Sequence, residues 1–241
     1  MAPSRRYITS GKGPYSPRFL HTREGFFSAC IYRGITHNTD YLHNSPAVYV
    51  DMNHWNSLLQ AALDEDQPPT YFCNPSAYGK AITNRSTDQA SNLWRATGNP
   101  VWNRWLLKKE IPTFLQVFEI FAYAKWDNSK EMAFPSFGPL VSMLIASDYA
   151  IAGAVQMPSP EEMGQVIWRL KAGGYRGLTN LGFAVGTQEE TVASFCTYHN
   201  YLQQNISRER QMQMKFSVFT SENGLCKHHR LSLAQWESLY N

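Results

Sequence analysis

Residues 134–183 read FPSFGPLVSMLIASDYAIAGAVQMPSPEEMGQVIWRLKAGGYRGLTNLGF, and the fold is decided there. From Pro139 to Val155 nearly every residue is apolar or small; only Ser142, Ser147 and Asp148 interrupt, and they do not share a side at 100° per residue. A helix with no polar face is a buried helix. The run is shorter than the ~20 apolar residues a membrane span needs, and it carries an aspartate. It therefore reads as the core helix of a domain that stays out of the membrane. The sequence Ser159-Pro160-Glu161-Glu162 follows. Ser159 can cap, Pro160 suits the first helical position, and Glu162 completes a capping box. Met163, Val166, Ile167 and Leu170 then recur at helical spacing, with Gly173-Gly174 as the expected stop. A further short helix is expected over 175–181.

The flanks add helices of the same kind. Phe114, Val117, Phe118 and Phe121 mark one over 112–126. Thr187-Gln188-Glu189-Glu190 opens another over 188–206. Residues 54–63 and 86–97 read as helices, and Ser232 and Gln235 cap a last one. Short strands are expected around 47–51 and 70–73. A third is expected at 211–218, where Met212, Met214, Phe216 and Val218 alternate with polar residues, although Met and Gln also favour helices. The expected class is thus mainly α, with a possible small β element. The expected organisation is a basic arm, 1–23, on a single mainly helical domain, 24–241. With 43% hydrophobic residues, the 241-residue chain can bury one sizeable core.

Charge is unevenly placed. Net charge is +3, yet residues 1–23 contain Arg5, Arg6, Lys12, Arg18 and Arg23 and no acid, so the remainder is slightly acidic. Tyr7, Tyr15 and Phe19 are interleaved with those cations. Such an arm is either a solvated tail or a segment that lies on phosphates or on a neighbouring subunit. Two further basic clusters are Arg104, Lys108 and Lys109, set among Trp102 and Trp105, and Lys227 to Arg230. The first is also explained by lysines snorkelling from an apolar surface. The N-terminus has no apolar signal segment, and four widely spread cysteines suit reduced thiols, so a cytoplasmic or nuclear location is expected.

Four constellations bear on chemistry. Cys196-x-x-His199 with Cys226-x-His228 offers thiolate and imidazole in pairs, as zinc requires. The second spacing is non-standard, and a core cysteine plus a solvated basic cluster explains the same residues, so no metal or other cofactor is favoured. Nothing around any cysteine or serine marks a nucleophile. Gly173 to Gly177, with Arg176, is glycine-rich but lacks phosphate-loop spacing. A turn between helices explains it, while a helix start there would still offer N–H groups to an anion beside Arg176. Asp148, if buried, needs a partner or a proton; it is either a structural link or a general acid/base, with Glu119 or Asp127 as a second carboxylate.

Three functions of different class follow. The leading one is a non-enzymatic binding or assembly protein, with single-stranded nucleic acid as ligand through the arm, the two clusters and Arg176. The second is a protein-interaction or homo-oligomer module docked through the arm. The third is an enzyme with a pocket near Asp148 or near Cys196 and His199.

Overall fold

The computed structural model describes residues 7–44, 48–78, 85–98, 110–126 and 129–231. They are mainly helical. They fall into two compact units, Met1–Met157 and Pro158–Asn241. The arginines and lysines at 5, 6, 104, 108 and 109, and the expected helix after Ser232, lie outside the described residues.

In the first unit, α1 (Arg23–Ile31) begins where Thr22 Oγ1 accepts from the Gly25 N–H. Every residue from Gly25 to Ile31 is buried, so the helix has no polar face and runs on as a π turn, Tyr32–Thr36. After a single turn, α2 (Tyr41–Asn44), comes α3 (Met52–Asp64), capped by the Asp51 carboxylate. Next is α4 (Gln89–Thr97), which packs on α1. In α5 (Phe114–Tyr123), Thr113 and Gln116 form a reciprocal capping box. α5 packs on α6 (Pro139–Ile151), the apolar helix at the centre of the decisive stretch. Its serines are satisfied internally: Ser142 and Ser147 donate to the carbonyls of Gly138 and Met143. Phe26, Phe121, Phe134 and Tyr149 form the aromatic heart of the unit, with Phe121 and Phe134 rings 4.8 Å apart.

The second unit holds α7 (Pro160–Leu170), α8 (Gly173–Asn180), α9 (Gln188–Asn205), α10 (Arg208–Met214) and α11 (Val218–Arg230). Its principal packings are α7 on α9 and α8 on α11. The capping boxes at Ser159/Glu162 and Thr187/Glu190 both form. The stop of α7 differs from expectation. Lys171 takes the left-handed conformation, with φ +45°, and the glycines begin α8 instead. Gly173 and Gly177, one helical turn apart, face α11 so closely that a Cβ on either would meet Cys226 or the Leu225 carbonyl. Their purpose is close helix approach rather than a turn.

The small β element is not formed among the described residues, where one isolated bridge joins Lys125 and Met132. Residues 48–50 are irregular; the Tyr49 N–H is spent on Ser28 Oγ at 2.7 Å. Pro69–Tyr71 is a 3-10 turn. Residues 211–214 belong to α10, and 218 opens α11. Met212 and Met214 are 65% and 43% exposed, so their alternation records no buried face. Helix propensity and the Ser207 cap decide the local structure.

Candidate functional site

Asp148 is 1% exposed and sits in the first unit's core. Arg33, 3% exposed, grips it with two parallel bonds: Nε to Oδ2 at 2.5 Å and Nη2 to Oδ1 at 2.6 Å. The Tyr15 hydroxyl adds a third donor to Oδ2 at 2.9 Å. The π turn explains how Arg33 reaches inward, because Tyr32–Thr36 is buried on all sides and α6 packs against it. Burial pushes the Asp148 carboxyl above its ordinary value, and Arg33 and Tyr15 oppose that rise by bonding its charged form. Burial also works against the Arg33 charge, but the Asp148 carboxylate outweighs it and holds the guanidinium firmly protonated. The Tyr15 phenol is raised, first by burial and then by the Asp148 charge. A carboxylate with three buried donors is a structural junction in this geometry. Of the two carboxylates expected to assist it, Glu119 is exposed on α5 and Asp127 lies outside the described residues.

Tyr15 lies within the basic N-terminal stretch. Its ring is buried against Tyr149, centroids 5.3 Å apart, and Ile8 and Leu20 are buried with it. Lys12 and Arg18 remain exposed, Arg18 stacking over Phe19 at 4.9 Å. Arg23 is engaged within the unit: Nε donates to Thr97 Oγ1 at 2.9 Å, and the guanidinium lies 3.8 Å from the Trp94 ring.

A second polar cluster surrounds the end of the π turn. Arg85 donates from Nε and Nη2 to the Ile35 carbonyl at 3.3 and 3.0 Å. His37 stacks on Tyr78, centroids 4.8 Å apart, with its Nδ1 buried and without a hydrogen-bond partner among the described residues. Burial, reinforced by the Arg33 and Arg85 charges, lowers the His37 pKa to about 3 and keeps the ring neutral. Neither Arg33, Arg85 nor His37 stands out in sequence. The one signal pointing to Arg33 is Asp148 itself, since an aspartate in an apolar helix demands a partner or a proton, but separations of 115 residues to Arg33 and 133 to Tyr15 hide which residues answer it.

In the second unit the residues proposed for zinc do not converge. His199 Nδ1 lies 2.9 Å from Ser221 Oγ, and its ring stacks on Phe216 at 5.3 Å. Cys196 faces Glu161 instead; burial, then the Glu161 charge, pushes its thiol up to about 11. Cys226 lies against Gly173. Among the described residues no group of three or more His, Cys, Asp or Glu side chains is placed to hold a metal ion. A thiol held protonated is also a poor nucleophile. Arg176 on α8 and Lys227 and Arg230 on α11 are exposed, on two helices that pack together. Between them the Asn180 amide meets His229 Nδ1 at 3.2 Å. Among the described residues no helix is long and apolar enough to cross a membrane. No protein-family model, curated protein or solved structure matches the chain.

Proposed function

We propose that the chain is a binding protein for single-stranded nucleic acid, working through exposed cations on both units in the cytoplasm or nucleus. The observation that carries this reading is the state of those cations. Lys12 and Arg18 in the first unit, and Arg176, Lys227 and Arg230 in the second, are exposed, and none forms an ion pair among the described residues. Cations left in solvent keep their full charge for phosphates, whereas one locked on a carboxylate, as Arg33 is, does not. The α8–α11 pair supports the reading further, because it gathers three such cations and two histidines on neighbouring helices. The cations in the last turn of α11 also complement its dipole. That role accounts for about 0.3–1 kcal/mol of helix stability and none of a salt-dependent affinity.

The test is fluorescence anisotropy of a labelled single-stranded 20-mer, titrated between 50 and 200 mM potassium chloride. Removing the whole arm is the wrong perturbation, because Tyr15 belongs to the core. Charge removal is cleaner. Lys12→Ala with Arg18→Ala lowers the log–log salt slope by about 1.4, and alanines at Arg176, Lys227 and Arg230 lower it by about 2, at ~0.7 per phosphate contact on a single strand. Absence of binding at 50 mM salt, or slopes unchanged in both variants, refutes the proposal.

A further inference from the structure

Arg85 is buried, 4% exposed, yet no carboxylate lies within ion-pair distance of it among the described residues. The six residues before it, 79–84, contain a lysine and no acid. Its Nε and Nη2 are spent on main-chain carbonyls, with Nη2 also reaching the His37 carbonyl at 3.5 Å. Its guanidinium lies 4.9 Å from the Tyr78 ring. Nη1 has no nitrogen or oxygen partner among the described residues, although the Cys73 thiol, on the same cavity wall, lies close enough to interact with the guanidinium. Arg33, in the same unit and as deeply buried, has its carboxylate. A buried cation that lacks a counter-ion is costly, because neutral acceptors replace hydration only in part.

The same arginine lines a cavity of ≈ 530 Å³ between the end of α3, the 3-10 turn and residues 85–88. That volume lies in the range of small-molecule sites. The walls are mostly apolar, with Leu59, Leu63, Pro68 and Phe72 among them. The nearby main chain offers little to an anion, since the N–H groups of Gln89 and Ala90 are spent on the carbonyls of Ser86 and Thr87. Asp88, at the rim, is held by Ser86 Oγ at 3.1 Å and opposes a second negative charge. One cation, one opposing carboxylate and apolar walls fit a monoanion on an apolar body, and they disfavour a phosphate dianion.

We infer that this cavity is a binding site for a small organic carboxylate, its oxygens on the Arg85 guanidinium beside Cys73 and its hydrocarbon against Leu59 and Phe72. The site is independent of the exposed cations, so either reading stands if the other fails. Calorimetric titration with octanoate, 1-octanol and acetate tests it. Octanoate binds at least about tenfold more tightly than 1-octanol, the difference a charge-assisted bond supplies, and acetate binds more weakly than octanoate. Arg85→Gln abolishes the preference for octanoate over octanol, with circular dichroism confirming the fold. Leu59→Trp leaves Arg85 in place and fills the cavity, so it removes octanoate binding even if Arg85→Gln does not fold. Equal affinities for octanoate and octanol, no octanoate binding by the native chain, or undiminished binding in Leu59→Trp overturns the inference.

Discussion

Cutting the Arg33–Asp148 junction from each side separates a structural role from an incidental contact. Asp148 accepts three bonds, at 2.5, 2.6 and 2.9 Å, from two residues with almost no solvent contact. Asp148→Leu removes both acceptor oxygens, and with them all three bonds, and leaves the guanidinium sealed in apolar surroundings. Arg33→Met leaves the carboxylate with the Tyr15 hydroxyl alone. Each single change is expected to cost about 3–5 kcal/mol, the usual penalty for orphaning one charge of a buried pair. The double variant leaves no charge. Its residual cost is about 1–3 kcal/mol for the unpaired Tyr15 hydroxyl, and adding Tyr15→Phe reduces even that. The double variant is therefore more stable than either single one, with a coupling energy of at least ~2 kcal/mol. Urea unfolding followed by tryptophan fluorescence measures this from the midpoint and slope of each transition. Additive single costs, with coupling below about 0.5 kcal/mol, would show that the two charges do not depend on one another.

Three other outcomes are expected. Gly177→Ala drives a Cβ into the Leu225 carbonyl and lowers thermal stability by about 1–3 kcal/mol. Gly138→Ala, where a Cβ meets nothing within 4 Å, serves as the control in the same melt. The His37 ring has a folded pKa of about 3 against 6.5 unfolded, so below pH 6.5 the unfolded chain takes a proton the native ring refuses. Stability is complete above pH 6.5 and falls as pH drops toward 3. The loss is about 2 kcal/mol at pH 5 relative to neutrality, and His37→Phe flattens it in urea titrations at each pH. Comparison with the native chain cancels Glu222, which burial raises to about 7 and which acts in the opposite sense between pH 7 and 4.5. Finally, iodoacetamide at pH 7.5 labels Cys196 about 10²-fold more slowly than an unperturbed thiol, since the thiol is held up near 11; mass spectrometry of the modified peptide reads the rate.

Local signals in the chain were legible and long-range ones were not. The start of α7 could be read from Ser159, Pro160 and Glu162 because a capping box is settled within four residues. α1 carries no such signal, because Gly25 to Ile31 is buried all round, which leaves no periodicity to detect. The glycines at 173 and 177 signalled an unusual backbone demand, but the demand comes from α11, about fifty residues later. The methionines at 212 and 214 mimicked a strand because period two arises by chance in so short a segment. For the candidate site, Asp148 was visible as an anomaly. Its partners were not, since nothing in the residues near Tyr15 or Arg33 records what lies more than a hundred positions away.

That separation also sets a schedule for the nascent chain. Tyr15 and Arg33 leave the ribosome well before Asp148, which is encoded 133 residues after the tyrosine and 115 after the arginine. At 5–20 residues per second, the tyrosine waits roughly 7–27 s for its acceptor. For that interval the Gly25–Ile31 stretch of α1 and the π turn that carries Arg33 exist while the helix that covers them is still unmade. The first unit closes only when its last helix arrives, so its early segments depend on whatever shields apolar chain during translation. A stop or frameshift just before residue 148 would leave almost the entire unit made and its central charge permanently unanswered.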